Sequence, residues 1–332
     1  MASAEPVRNP AAYIRRVVGI GVAIVILILF VVGWFWSRTP PVFFVTSELD
    51  GQPVVVGYST ADTLIRVAET LLDKPGGYLS NDITPPSIFM DDMPNWEFGV
   101  LTQVRDLARV MRNDYSRSQS QSTEDPDLSV AEPLFFTEND SWMLPASESK
   151  YREAIEGFRA YRDRLSSGAQ PPAQFFSRAD NLREWLVQVE KRLGSLSQRL
   201  SASVGQRRVN TDLSGERAAA AGGDAPADMI VKTPWLEIDN VFYEARGTAW
   251  ALVHFLRAVE FDFADVLEDK NAAVSVRQII RELEASLEPM RSPMVLNGGG
   301  FGVFANHSLV MASYLARANA AVSDLRELLD QG

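Results

Sequence analysis

Twenty consecutive residues without a charge, VVGIGVAIVILILFVVGWFW from Val17 to Trp36, set the first constraint on this chain. At 1.5 Å per residue such a helix is about 30 Å long, the thickness of a bilayer's hydrocarbon core. The run closes on Trp34, Phe35 and Trp36, rings that favour the headgroup interface. Arg8, Arg15 and Arg16 precede it against one acid, Glu5, whereas Arg38, Glu48 and Asp50 follow it. The positive-inside bias predicts a cytoplasmic tail over 1–16, a transmembrane helix over 17–36, and the remainder on the far side of a bacterial inner membrane, in the periplasm. A cleaved signal peptide is the competing reading, but such peptides have apolar regions of roughly 7–15 residues and a small-residue cleavage site. This run is longer, and the following SRTPPVFF has no such site. Gly19 and Ala23 form a small-xxx-small pair of the kind that draws two membrane helices together.

Beyond the span there is enough chain to bury a substantial core, in one large domain or two modest ones. The 32 basic and 43 acidic residues of the whole sequence fall to 29 and 42 without the tail's three arginines and one glutamate, a net charge near −13. That balance opposes nucleic acid, whose binding rests on neutralising phosphates, and opposes lying flat on anionic lipid. The chain has no cysteine, which excludes a disulfide framework, a thiolate metal site and a cysteine nucleophile.

Residues 37–58 contain two β-branched and aromatic runs flanking Asp50-Gly51, which predicts a short membrane-proximal β-hairpin. From Thr60 the spacing turns helical, with Ser59 and Asp62 as a capping-box-like start and Leu64, Val67, Ala68, Leu71 and Leu72 as its apolar stripe. The stretch PGGYLSNDITPPSIFMDDMPNWEFGVL, Pro75 to Leu101, breaks the pattern: it is rich in proline and glycine yet keeps Tyr78, Phe89, Met90, Trp96 and Phe98. Helical spacing resumes from Trp96 to about Met111, fades through a polar segment, and returns from Ser147 to about Leu165. Apolar residues at Phe175, Ala179, Leu182, Leu186, Val189, Leu193, Leu196 and Leu200 alternate steps of four and three, a coiled-coil-type seam. It fits either another helix of the same chain or a second copy in a homo-oligomer.

Gly205 to Met229 has the composition of a linker, so the helical body divides into 59–206, a linker or exposed loop over 207–234, and a second helical region over 235–332 that can pack on the first. The second region reads as a long helix from Ile238 to Leu267, apolar nearly all round and carrying His254, then helices near 272–287 and 306–329. A lone histidine on such a face is a hydrogen-bonded core residue. Between the last two helices, Gly298 to Gly302 reads as a turn that tucks Phe301, Val303 and Phe304 onto the core.

The strings KPGGYLSNDITPP, MPNWEFGVL, RNDYSRSQSQS and RLGSLSQRLSASVG resemble an uncharacterised, domain-of-unknown-function family of single-span inner-membrane proteins from proteobacteria. The resemblance implies one anchor and an envelope location, and carries no activity.

The motifs of a zinc protease, a nucleophile elbow and a P-loop are missing from the sequence, and its two histidines lie far apart, so neither cofactor nor metal is expected. Carboxylates remain. Asp91, Asp92 and Glu97, with Asp82, are the candidates for a cell-wall glycan hydrolase, a reaction that needs two acids across the scissile bond. Glu148-Ser149 lacks the string that accompanies that pair in murein lytic enzymes. Irregular stretches as long as 75–101 inside a compact domain either serve a function or are packed by their own side chains. One reading makes it a cover over the bundle end; the other makes Tyr78, Phe89 and Trp96 anchors for a partner protein of the envelope. The sequence as a whole predicts a mainly α protein, an anchored helical bundle with long helices. A non-catalytic interaction or scaffold role ranks first and the hydrolase second.

Overall fold

The computed structural model describes residues 10–49, 52–118, 122–169, 172–209, 228–292, 294–300 and 302–331. Glu5 and Arg8 of the tail, the Asp50-Gly51 turn, the middle of the expected linker and Phe301 lie outside the described residues. What is described is mainly helical. The first helix, α1 (Pro10–Trp36), is exposed along almost its whole length, and its Tyr13–Trp36 portion is long and apolar enough to cross a membrane. After it the chain runs extended to a two-residue strand, β1 (Glu48–Leu49), paired antiparallel with β2 (Gln52–Pro53). The ladder is confined to those two residue pairs. Val42 to Thr46, expected as part of a longer strand, are bound instead by side chains of the helical body.

The body begins with α2 (Tyr58–Asp73), whose N-terminus differs from the expected capping box. Gly57 precedes it at φ 90°, a left-handed conformation, and a Cβ there would lie 2.3 Å from the Phe175 ring. The first-turn donors are taken by an acid two hundred residues away: Asp262 accepts from Thr60 N at 2.7 Å and Thr60 Oγ1 at 2.6 Å. Ser59 and Asp62 turn elsewhere, to the Thr46 carbonyl and to Arg162.

Next come α3 (Asp92–Val110), which widens into a π turn over Met111–Tyr115, then α4 (Pro126–Phe135), α5 (Ser147–Ser167) and α6 (Ala179–Ser201). The expected linker is bounded by a second antiparallel pair, β3 (Gln206–Val209) with β4 (Asp228–Val231). The long helix expected to Leu267 breaks at Phe263 into α7 (Ile238–Asp262) and α8 (Ala264–Asp269), and α9 (Ala273–Ser286) and α10 (His307–Asp330) complete the ten described helices. Val303 and Phe304, expected on the core, are 99% and 71% exposed, because the Asn297–Asn306 bridge turns the loop tip outward.

One apolar core runs from Ala61 to Leu329, so the region after the expected linker packs on the region before it. Helix α7 sits at its centre, against α2, α3 and α9. Its Arg246 is buried and donates to the carbonyls of Leu287 at 2.9 Å and Glu288 at 3.1 Å, closing the C-terminus of α9. The leucine seam of α6 is covered by α10, antiparallel, with Arg183 paired to Asp330 at 2.7 Å at one end and Ser197 Oγ donating to Ala312 O at 3.2 Å toward the other. The seam is therefore filled within the chain.

Helices α3 and α7 run side by side in the same direction, with Trp96 against Trp250 (5.3 Å between ring centroids) near one end and Tyr115 against Phe263 (5.2 Å) near the other. Their backbones touch through two glycines. A Cβ on Gly99 would lie 2.1 Å from Glu244 O, and one on Gly247 would lie 2.0 Å from Trp96 O. Since the obstructing atoms are backbone, no rotamer change relieves them. Gly247→Ala is expected to destabilise the chain by about 3 kcal/mol or more, read as a lowered midpoint in thermal or urea unfolding followed by circular dichroism. Gly194→Ala, facing only the Asn319 side chain at 3.6 Å, should be mild by comparison.

Candidate functional site

Three things meet at one end of the body: the irregular stretch after α2, the outer end of α1, and the extended segment that joins α1 to the body. The irregular stretch is shorter than expected, since α3 already starts at Asp92. It is organised around a buried ion pair. Lys74, just past α2, lies 2.5 Å from Glu97 on α3, and both side chains are fully inaccessible to solvent. The Glu97 carboxylate also accepts from Leu79 N and Ser80 N, each at 2.8 Å, and from Ser80 Oγ at 2.5 Å, while the Lys74 ammonium donates to the Gly77 carbonyl. Burial pulls the Lys74 ammonium down from the usual lysine range and Glu97 opposes the shift. Every strong acceptor direction of Glu97 is thus filled by the segment it folds.

These partners determine what the sequence candidates can do. Glu97 is sealed beneath the loop and ion-paired, so its carboxylate does not face solvent. Asp82 accepts from Thr84 N at 2.9 Å and Thr84 Oγ1 at 2.8 Å, holding a local turn. Asp91 is exposed, and Asp92 is half-buried at the start of α3. Desolvation, with the nearby charges of Asp91 and Asp239 adding, pushes the Asp92 carboxyl up to about 7. Asp82 thus holds a turn and Glu97 holds the loop, while Asp91 and Asp92 lie next to each other at the start of α3.

Of the expected partner anchors, Trp96 is 1% exposed beneath Trp250, and Tyr78 is buried edge-on to Tyr151 at 5.7 Å. Both belong to the core, which corrects the expectation that they present a contact surface. Phe89 alone of the three projects, at 81% exposure. The stretch is a cover at its two ends and exposes an apolar pair, Ile88 and Phe89, in its middle.

The segment between α1 and the body is held by residues with no sequence motif to announce them. Pro41 O accepts from Trp250 Nε1 at 3.3 Å, and Phe43 N donates to His254 Nε2 at 3.0 Å. His254 Nδ1 lies 2.7 Å from Trp250 O, so the ring donates through Nδ1, accepts through Nε2, and is neutral. The Phe43 ring stacks on it at 3.9 Å and carries the Arg66 guanidinium on its other side at 4.1 Å. Burial, with Arg257 and Arg66 adding, pulls His254 down to about 4. The outer end of α1 is seated as well. A Cβ on Gly76, at φ 90°, would lie 2.8 Å from the Trp36 ring, and Gly33 faces Pro86 at 3.5 Å.

A family model described as "Uncharacterized protein conserved in bacteria (DUF2333)" matches residues 11–332. Neither the curated proteins nor the solved structures contain a match to the chain.

Lys74→Met is expected to cost about 3–5 kcal/mol, since it strands the Glu97 charge without water or partner, and the double variant Lys74→Met/Glu97→Leu should recover part of that loss; urea unfolding of the two variants checks it. A second outcome concerns pH. An unfolded chain protonates His254 near 6.5, whereas the folded chain holds it neutral down to about 4. The unfolded state takes the proton first, so this contribution is complete above about 6.5 and declines as the pH falls toward 4, by about 3 kcal/mol in all. His254→Gln should flatten that part of the stability profile relative to the parent chain.

Proposed function

This chain belongs to that conserved bacterial family, and we propose that it is a single-span inner-membrane protein acting as a non-catalytic interaction or scaffold component of the cell envelope. In this reading α1 is an uncleaved anchor, the arginine-bearing tail is cytoplasmic, and the acidic helical body stands in the periplasm. The observation that carries the anchor is the seating of residues on both sides of the helix's end. Trp36 packs on Gly76, and Pro41 and Phe43 are bound by Trp250 and His254. A signal peptide is dispensable to the mature fold; here removal of residues 1–36 would strip Trp36 from Gly76 and Gly33 from Pro86. The Arg38 guanidinium over the Trp34 ring at 4.2 Å suits a headgroup boundary.

The non-catalytic part of the reading rests on the carboxylates. The acid best placed in sequence for hydrolysis, Glu97, is committed to Lys74 and to backbone donors. What the body offers instead is a rigid, acidic, helical surface held at a fixed distance from the bilayer.

The test is topological. Expressed in a bacterial host, the full chain should stay in the membrane fraction after carbonate washing and should retain residues 1–36 by intact mass. An alkaline phosphatase fused after residue 332 should be active. A soluble chain beginning beyond Trp36, or a fusion active only as a cytosolic reporter, would overturn the assignment.

A further inference from the structure

Beyond the single span, the geometry points to a second attachment: the turn Ile83–Met90 enters the same bilayer leaflet beside α1, with Ile88 and Phe89 among the acyl chains. This inference rests on α1 being a membrane anchor.

Continuity with α1 is the first argument. Pro86, Phe89 and Met90, with the acids Asp91 and Asp92 that follow them, line one groove together with Ile26, Leu29 and Phe30 of that helix. Gly33, the α1 position that faces Pro86 at 3.5 Å, lies roughly 5 Å inward from Trp36 along the axis. The turn therefore meets α1 at the level of the Trp34–Trp36 belt, and the groove between them continues from there along the aliphatic run. A helix crossing a bilayer there has lipid on its open sides, and the turn occupies one of them.

The chemistry of the turn agrees with that depth. ITPPSIFM, 83–90, has no charged side chain. Ile83, Ile88 and Phe89 are all exposed in the folded chain, and none is needed by the core. Its backbone is also prepared for a place poor in water. Pro85 and Pro86 have no N–H, and the N–H groups of Ile88, Phe89 and Met90 donate to the carbonyls of Thr84, Pro86 and Ser87 at 3.2, 3.0 and 2.8 Å. Lipid-exposed irregular backbone does not enter the hydrocarbon region itself, so the turn's backbone stays at the headgroup boundary and only the Ile88 and Phe89 side chains pass into the acyl chains.

A second apolar tip lies beside the first. Asn81 Nδ2 donates to Ser141 O at 2.8 Å, joining the loop to the 139–146 segment, where Trp142, Met143 and Leu144 are all exposed. Trp142 shares a surface depression with Ile83, a position suited to the interfacial belt. Since the body is acidic, attraction to anionic headgroups does not account for such contact. Apolar insertion does, and it operates on zwitterionic lipid.

The chain has no native thiol, so single cysteines report single positions. The full-length protein carrying Phe89→Cys, Leu29→Cys or Val274→Cys is labelled with bimane and reconstituted at low protein-to-lipid ratio into phosphatidylcholine vesicles, with or without brominated acyl chains. Val274 is exposed on α9, beyond the end of the body where Asp262 meets Thr60. The label at position 89 should lose most of its emission in brominated vesicles, as the one at 29 does, while the label at 274 keeps its own. Quenching at 29 with none at 89 overturns the wedge and leaves the anchor standing. No quenching at either position overturns the anchor, and the wedge with it. A label at 89 that is blue-shifted but unquenched is covered by protein rather than lipid, which also rejects the inference. Ile88→Cys repeats the reading at the neighbouring exposed position.

Discussion

A carboxylate cut off from water must be surrounded by donors, and Glu97 is surrounded almost entirely by the segment it organises. The ammonium of Lys74 reaches it from the end of α2, and two successive N–H groups reach it from the loop. That single anchor point converts seventeen irregular residues into a fixed surface. The outer end of α1 is seated on this surface, since Trp36 rests on Gly76 and Gly33 faces Pro86. If the pair fails, the cover, the seat and the projecting Phe89 turn lose their common support.

A second clamp works from the opposite side of the linking segment. Neutral His254 joins the chain leaving α1 to the central helix α7, and Arg66 closes over Phe43 from α2. The two clamps act on segments separated by fewer than forty residues, yet they use partners from three helices. The outer end of α1 is consequently joined to the body through both the cover and the linking segment. The arrangement also accounts for the length of the irregular stretch: it has to cover the core, meet α1 and still expose a turn.

Most of the helical plan was legible in the sequence, because apolar residues at helical spacing report a buried face directly. The seam from Ala179 to Leu200 is the clearest instance. Helix α4 was missed although its signal was present: Asp125 caps the donors of Asp127 and Leu128, and Pro126 sits at the first turn. Three features were out of reach. Asp262 caps a helix 202 residues away, Lys74 finds Glu97 across a loop, and His254 receives an N–H from Phe43. Such pairings depend on the fold being complete and leave no periodic trace. The projecting anchors were misjudged for a related reason. Trp96 and Phe89 look alike in composition, and only the α3–α7 crossing sends one inward and leaves the other out.

The closure of α6 by α10 has a consequence for biogenesis. Their contacts join residues 115 to 147 positions apart, so the leucine stripe of α6 is synthesised long before its complement. In the interval that stripe is a sticky ridge open to holdase chaperones and to other nascent chains. This side of the core closes only when α10 arrives, and a product ending before His307 would leave the ridge bare.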